Sequence, residues 1–272
     1  MLKNDWKECI FYTFSNLISN LIFQTIFKPS FLNIYMKKSV KNKPFKKRFP
    51  KDKKTVKSKL SKKLKTLKKL TQQQVWDKIA GAWTDSWSEN SQKSPDYVVN
   101  FLKKKKGNIV DIGCGEGRNF IKVDGTIYGI DFSEKQLEYA KKNAKKKDIK
   151  VILVKASAEK PPFVENFFDA AICIATLHCL ESENTRKKAI EEMHRVLKKG
   201  AEAMVVVWNK DSDRFKNKEK QVYIGTEVKG KRYERYYYLY DKYELRHLLK
   251  SAGFKIVKET KDKMNLIFVV KK

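Results

Sequence analysis

Cysteine is scarce in this chain of 272 residues: four, at positions 9, 114, 173 and 179, with no Cys-x-x-Cys pair and no metal-ligand spacing. That excludes a disulfide-stapled scaffold and gives no sign of a zinc site in this chain, and a reducing compartment, the cytoplasm, is the simple setting. Acidic residues are short as well, 31 against 61 Lys and Arg, for a formal net charge of +30. An excess of that size favours a polyanionic partner through counterion release, without discriminating its sequence. No internal repeat is visible, which sets aside a solenoid. A long apolar run is missing too, except over residues 9–27, where Thr13, Ser15, Asn16, Ser19, Asn20, Gln24 and Thr25 interrupt it. Those polar groups argue against a bilayer span while leaving membrane contact open. No small-x-small cleavage site follows, and Met36 offers an alternative start, so residues 1–36 read as an apolar extension of undecided role.

Residues 37–70 form a second unlike piece. Between Lys37 and Lys69 there are 17 Lys or Arg against one acid, Asp52, with Pro44 and Pro50 among them. The composition is too charged to fold alone. Its later part sets Leu60, Leu64 and Leu67 at helical spacing, which suits a basic helix on RNA. Residues 71–272 have the length of one α/β domain.

What is present is a glycine turn. Residues 111–117 read Asp-Ile-Gly-Cys-Gly-Glu-Gly, at the end of a short apolar strand over 109–112. Asp131 closes a second apolar run over 126–131. Strand, glycine turn and downstream carboxylate make a nucleoside site, with the acid taking the ribose hydroxyls. Glu116 sits where a diphosphate would lie, and would repel it. A cationic, phosphate-free ligand fits better, and S-adenosylmethionine is one.

With these residues the chain resembles the seven-stranded S-adenosylmethionine-dependent methyltransferases from about residue 75 to the C-terminus. The resemblance implies a Rossmann-like, doubly wound α/β fold with a seven-stranded, mostly parallel sheet. Helices would cover both faces, and an antiparallel strand pair would close the C-terminus. It also implies a cofactor site made of Asp111, Gly113, Cys114, Gly115, Gly117, Asp131, Phe132, Ser157, Ala158 and Ile174. Residues 167–173 look like the family's fourth strand, and 191–208 like its next helix, turn and fifth strand. Where relatives often carry an aspartate for the adenine amine, this chain has Ser157, a weaker acceptor.

A narrower resemblance concerns the substrate. Residues 76–80, Ala175-Thr176-Leu177-His178 and Arg235-Tyr236-Tyr237-Tyr238-Leu239-Tyr240 look like the tRNA wobble-uridine carboxymethyl methyltransferases of archaea and eukaryotes. Some of those carry an arginine where this chain reads Ser86-Trp87. The resemblance implies a tRNA anticodon loop as substrate and a small zinc-binding activator subunit as a partner. The acceptor would be the carboxylate of 5-carboxymethyluridine, with His178 and Arg235 as the groups that hold it. Tyr236, Tyr237 and Tyr238 would stack the base, and Trp208 would line the uridine pocket or close the core. His194 and His247, among charged neighbours, read as surface residues. A small-molecule methyltransferase and a non-catalytic RNA-binding protein are the alternatives.

The remaining pattern alternates strands and helices. Helices are expected over 75–83 and 96–104, and from Ser133, with Gln136 in capping-box position. Strands are expected over 150–154, 168–174 and 203–208. A helix capped by Asp241 runs to Leu249 and stops at Gly253, before paired strands over 254–258 and 266–270. Such alternation places a ligand at the carboxyl edge of a parallel sheet.

Overall fold

A computed structural model describes residues 70–85 and 93–272. The extension 1–36, the basic arm through residue 69 and Ser86-Trp87 lie outside the described residues. Helix α1 (Gln72–Asp85) opens the described chain. The Thr71 side chain accepts from Gln74 N at 3.2 Å, and Thr71 N donates back to Gln74 Oε1 at 3.0 Å, a reciprocal cap. Gln72, Val75, Ile79 and Ala80 are its buried residues, spaced to share one helical face. Helix α2 (Asp96–Leu102) follows and buries Val98, Phe101 and Leu102.

Seven strands build one sheet: β1 (Lys106–Ile112), β2 (Asp124–Asp131), β3 (Val151–Lys155), β4 (Phe168–Ile174), β5 (Leu197–Trp208), β8 (Lys255–Lys261) and β9 (Asn265–Lys271). Their order is β3-β2-β1-β4-β5-β9-β8. The first five are parallel, while β9 runs antiparallel to both β5 and β8. This is the doubly wound arrangement expected, with the switch in strand direction of travel between β1 and β4. Helices α4 (Glu183–Val196) and α5 (Lys242–Ser251) cover one face of the sheet. Helices α2 and α3 (Glu134–Lys146) cover the other. Strand β4 is buried on both faces, so Ala170 to Ile174 reads as a continuous apolar run rather than an alternation.

Three expectations need correcting. The turn expected at Lys198, Lys199 and Gly200 lies inside β5, as a register shift opposite Phe168 and Ala170. Gln136 does not complete a capping box. Its backbone N donates to Ser133 Oγ at 3.2 Å, but Ser133 N is taken by Asp131 Oδ1 at 2.9 Å, which frees the Gln136 side chain for another position. His194 is half-buried, with its ring edge-on to Phe254.

The segment holding Arg235 and the tyrosines is a two-stranded hairpin of its own, β6 (Gln221–Val228) and β7 (Lys231–Tyr238). Lys229 and Gly230 join them with φ of 50° and 71°, the left-handed pair that a two-residue turn requires. The hairpin's base is tied to the end of β5, where Tyr240 N donates to Trp208 O and Lys210 N to Tyr240 O. Gln72 fixes its upper strand. The amide donates to Glu234 O at 3.2 Å and accepts from Tyr236 N at 2.9 Å, flanking Arg235 on both sides.

Replacing Gln72 by Ala strands the buried Tyr236 N–H without its acceptor. Denaturant unfolding is expected to show a loss of about 1–3 kcal/mol, with the hairpin cut sooner by protease. Unaltered stability and protease pattern would show that water replaces the amide.

Candidate functional site

The C-terminal ends of β1 and β4 diverge, and a cavity of about 850 Å³ opens above them. Residues 113–117 form one wall. Gly113 has φ +71°, and a Cβ there would lie 2.2 Å from Thr176 Cγ2, so no larger residue fits. Thr176 Oγ1 donates to Gly113 O at 3.1 Å and locks the two strand ends together. Gly113 N and Cys114 N both donate to Ile130 O, which bends the turn over β2.

Asp131, at the end of β2, organises this wall. Its Oδ2 accepts from Gly115 N at 3.0 Å and its Oδ1 from Ser133 N at 2.9 Å. Each oxygen keeps a lone pair for a ligand hydroxyl. Burial lifts its pKa to about 6, against the pull of those two N–H groups. Asp111 lies beneath the turn, 1% exposed, and its carboxyl oxygens have no hydrogen-bond partner within range among the described residues. Burial, reinforced by the negative Asp131, raises it to about 7, although Arg118 and Asn119 counteract. Burial likewise raises Glu116.

Two carboxyl groups with raised affinity for protons, Glu116 and Asp131, therefore line one end of the cavity, with a third, Asp111, beneath it. Buried acceptors of this kind need a cation or donors to settle them. Gln136 adds a buried side-chain oxygen without a partner, on the cavity wall. The set fits a ligand that is positively charged and rich in hydroxyl and amine donors, as S-adenosylmethionine is. A diphosphate does not fit it.

Of the expected cofactor residues, Gly113, Cys114, Gly115, Asp131, Phe132, Ser157, Ala158 and Ile174 line the cavity. Asp111 and Gly117 do not. Asp111 is underneath, and Gly117 (φ +75°) lets the chain pass Phe120, whose ring would lie 2.5 Å from a Cβ.

The same cavity is walled by His178, Trp208, Arg235 and Tyr237. His178 sits in the 3₁₀ turn Leu177–Cys179 after β4, 1% exposed. Its Nδ1 accepts from Trp208 N at 3.0 Å, so the neutral ring carries its proton on Nε2. Burial holds its pKa down at about 3, so it is a neutral donor and neither a cation nor a base at physiological pH. Its ring stacks on Trp208 at 4.9 Å, and Trp208 meets Tyr237 at 4.2 Å and Phe215 at 5.0 Å. Trp208 thus both lines the cavity and packs against its rim.

Strand alternation separates the tyrosines. Arg235 and Tyr237 face the cavity. Tyr236 faces away, towards Tyr223 and Arg186, and the Tyr238 hydroxyl is held by Glu244 of α5 under the Arg186 guanidinium. Only Tyr237 of the three is placed to meet a base. Arg235 is 6% exposed, donates from Nη1 to the Tyr237 hydroxyl at 2.6 Å, and lies 5.8 Å from the Trp76 ring centre. Burial pushes the Tyr237 phenol and the Cys179 thiol far up, so both stay protonated.

Trp76, Gln136, Thr176 and Arg214 also line the cavity and were not singled out as site residues in the sequence. Gln136 was read as a cap, and Arg214 sits in a polar run without periodicity. No cluster of three or more His, Cys, Asp or Glu among the described residues could hold a metal.

Residues 110–205 match a protein family described as "Methyltransferase domain". A tRNA (carboxymethyluridine(34)-5-O)-methyltransferase of Schizosaccharomyces pombe is 31% identical over 228 residues, 73% of this chain and 95% of that protein. A protein of the same name from Arabidopsis thaliana is 34% identical over 138 residues, which is 50% of this chain but 32% of its own length. Among solved structures, the CcbJ methyltransferase from Streptomyces caelestis superposes with a TM-score of 0.61 at 16% identity, covering 74% of this chain and 99% of that one. The last shares the fold.

Asp111 allows two opposite effects to be read from one change. Its folded pKa lies above the ordinary carboxylate value, so the ligand-free fold loses stability as pH rises from about 4 to 7 and stays penalised above. Asp111→Asn is expected to stabilise the ligand-free protein at pH 8 by about 2 kcal/mol, and by less than half as much at pH 5. The same variant should bind S-adenosylhomocysteine at least roughly tenfold more weakly. Calorimetry and thermal unfolding check both; an unchanged affinity would remove Asp111 from the site.

Proposed function

This chain belongs to the S-adenosylmethionine-dependent methyltransferases, and we propose that within that family it esterifies the carboxylate of 5-carboxymethyluridine at the wobble position of tRNA. The observation that carries this reading is the character of the acceptor end of the cavity. It offers a buried guanidinium, Arg235, and a neutral histidine N–H, beside the aromatic faces of Trp208 and Tyr237. At that end the imidazole is held neutral with its Nδ1 lone pair taken by Trp208 N–H, and Tyr237 and Cys179 are held protonated.

An acceptor with a pKa near ~4 suits such a site, because it arrives already ionised. A phenol or an amine would need a base. The cofactor, when bound, supplies an electrophilic methyl group on a sulfonium. Arg235 orients the acceptor carboxylate while its own fork is braced by the Tyr237 hydroxyl, and the His178 Nε2–H donates a second hydrogen bond. Trp208 and Tyr237, packed against each other, wall the uracil ring and exclude water from the carboxylate. Catalysis is then positioning and partial desolvation of an anion. Asp131 and the backbone of 113–115 hold the nucleoside end of the cofactor, and the carboxyl of Asp111, beneath the turn, adds negative charge under its cationic part. The S. pombe relative, aligned over most of its length, supports the choice of acceptor. In this reading the arm of 37–70 adds phosphate contacts, a small zinc-binding subunit assists, and the enzyme works in the cytoplasm. No helix among the described residues is long and apolar enough to cross a membrane.

Methyl transfer from labelled S-adenosylmethionine to tRNA bearing 5-carboxymethyluridine, with and without a zinc-binding activator, tests the reading. A base-labile ester on the wobble uridine is expected, absent with Asp131→Ala. The rate at saturating cofactor should be flat from pH 7 to 9. A rate climbing through that window would indicate an acceptor that must lose a proton, and with no transfer to RNA would point to a small phenolic or amine substrate.

A further inference from the structure

Arg214 lines the same cavity as Arg235 but is placed quite differently. Arg235 is buried and braced by Tyr237. Arg214 is exposed, with its guanidinium 5.5 Å from the Trp208 ring centre and 5.2 Å from that of Phe215. Its Nη1 lies 3.4 Å from Met264 Sδ. Among the described residues no carboxylate pairs with it, and the neighbouring Asp213 is taken by Lys216.

This exposed cation is not on a loose loop. After β5, Asn209 Oδ1 accepts from Asp211 N at 3.0 Å, and the buried Ser212 donates from Oγ to Asn209 O at 2.8 Å. Phe215 N and Lys216 N both return to Ser212 O, and Phe215 is buried against Trp208. The turn is therefore fixed, and it sets a guanidinium on the aromatic rim of the cavity. These cation–π contacts leave donors of the exposed guanidinium for an anion.

Of the three arginines that line the cavity, Arg118 lies among the carboxyls of Asp111 and Glu116. Arg235 and Arg214, one buried and one exposed, leave places for two anionic groups on one substrate. The acceptor carboxylate belongs with Arg235, deeper in. The second anion must be carried near the reacting nucleotide and lie at the mouth. A nucleotide within a chain carries one there, a phosphodiester; a free nucleoside or a small carboxylic acid does not.

We propose that Arg214 grips a phosphodiester adjoining the methyl-accepting nucleotide, and so selects acceptors within a polynucleotide over free nucleosides. The proposal rests on the reading of an RNA acceptor given above. Phosphate contacts position a chain without reading its sequence, so the effect is independent of the bases flanking the acceptor.

The test compares the wild-type full chain with Arg214→Gln and Arg214→Lys, on a stem-loop RNA carrying 5-carboxymethyluridine and on the free nucleoside. The ratio of kcat/KM for RNA to that for nucleoside is expected to fall about tenfold in the Gln variant, through KM. The slope of log kcat/KM for RNA against log salt should flatten by about 0.7, the value for one contact to a single strand. Arg214→Lys keeps the charge and should keep the slope. A wild-type slope and ratio in Arg214→Gln, with RNA methylated normally, would overturn the role of Arg214 alone. Absence of RNA methylation by the wild type would overturn the proposal together with the reading beneath it.

Discussion

One close approach governs the site: Thr176 rests on Gly113 where a Cβ would have to stand. Strands β1 and β4 are neighbours whose chains leave in different directions, and a crevice between them is the consequence. The Thr176 hydroxyl bonded to Gly113 O spans that crevice and couples its two banks. Ala175 takes φ +58° to make the turn, a strained value for a residue with a Cβ. Three residues later the chain delivers His178 inward, where Trp208 N fixes its tautomer. The glycine wall and His178 are thus positioned by one contact.

Charge divides along the cavity in a way that matches two ligands. Asp111, Glu116 and Asp131 hold protons more tightly than ordinary carboxyls, which makes their end welcoming to a cation. Arg214 and Arg235 with the stacked rings make the other end welcoming to an anion on a flat base. A cationic methyl donor beside an anionic acceptor is a pairing in which the protein has no proton to move. The buried, uncharged His178 agrees with that economy, since a base there would have nothing to do.

The glycine turn and Asp131, which line one end of the cavity, were legible in the sequence because their determinants are local. A glycine turn after an apolar strand, and an acid after the next, need no tertiary knowledge. The acceptor half was legible only as a cluster. Arg235, Tyr236, Tyr237 and Tyr238 are adjacent in the chain, and only the pairing of β6 with β7 decides which alternate side chains face inward. That hairpin escaped notice because Lys229-Gly230 is not one of the common turn dipeptides. Arg214 escaped because its placement depends on a turn held by Asn209 and Ser212, far from any periodic pattern. Asp111, read as a cofactor residue, lies under the turn and not on the cavity wall.

The central claim is that the acceptor end is built for a carboxylate. Stem-loop RNAs that differ only in carrying 5-carboxymethyluridine or its neutral amide separate this from mere affinity for uridine or RNA. With S-adenosylhomocysteine present at pH 7.5, calorimetry should find the carboxylate form bound at least about tenfold more tightly, and Arg235→Gln should erase the difference. Equal affinity for acid and amide in the wild-type protein would contradict the account.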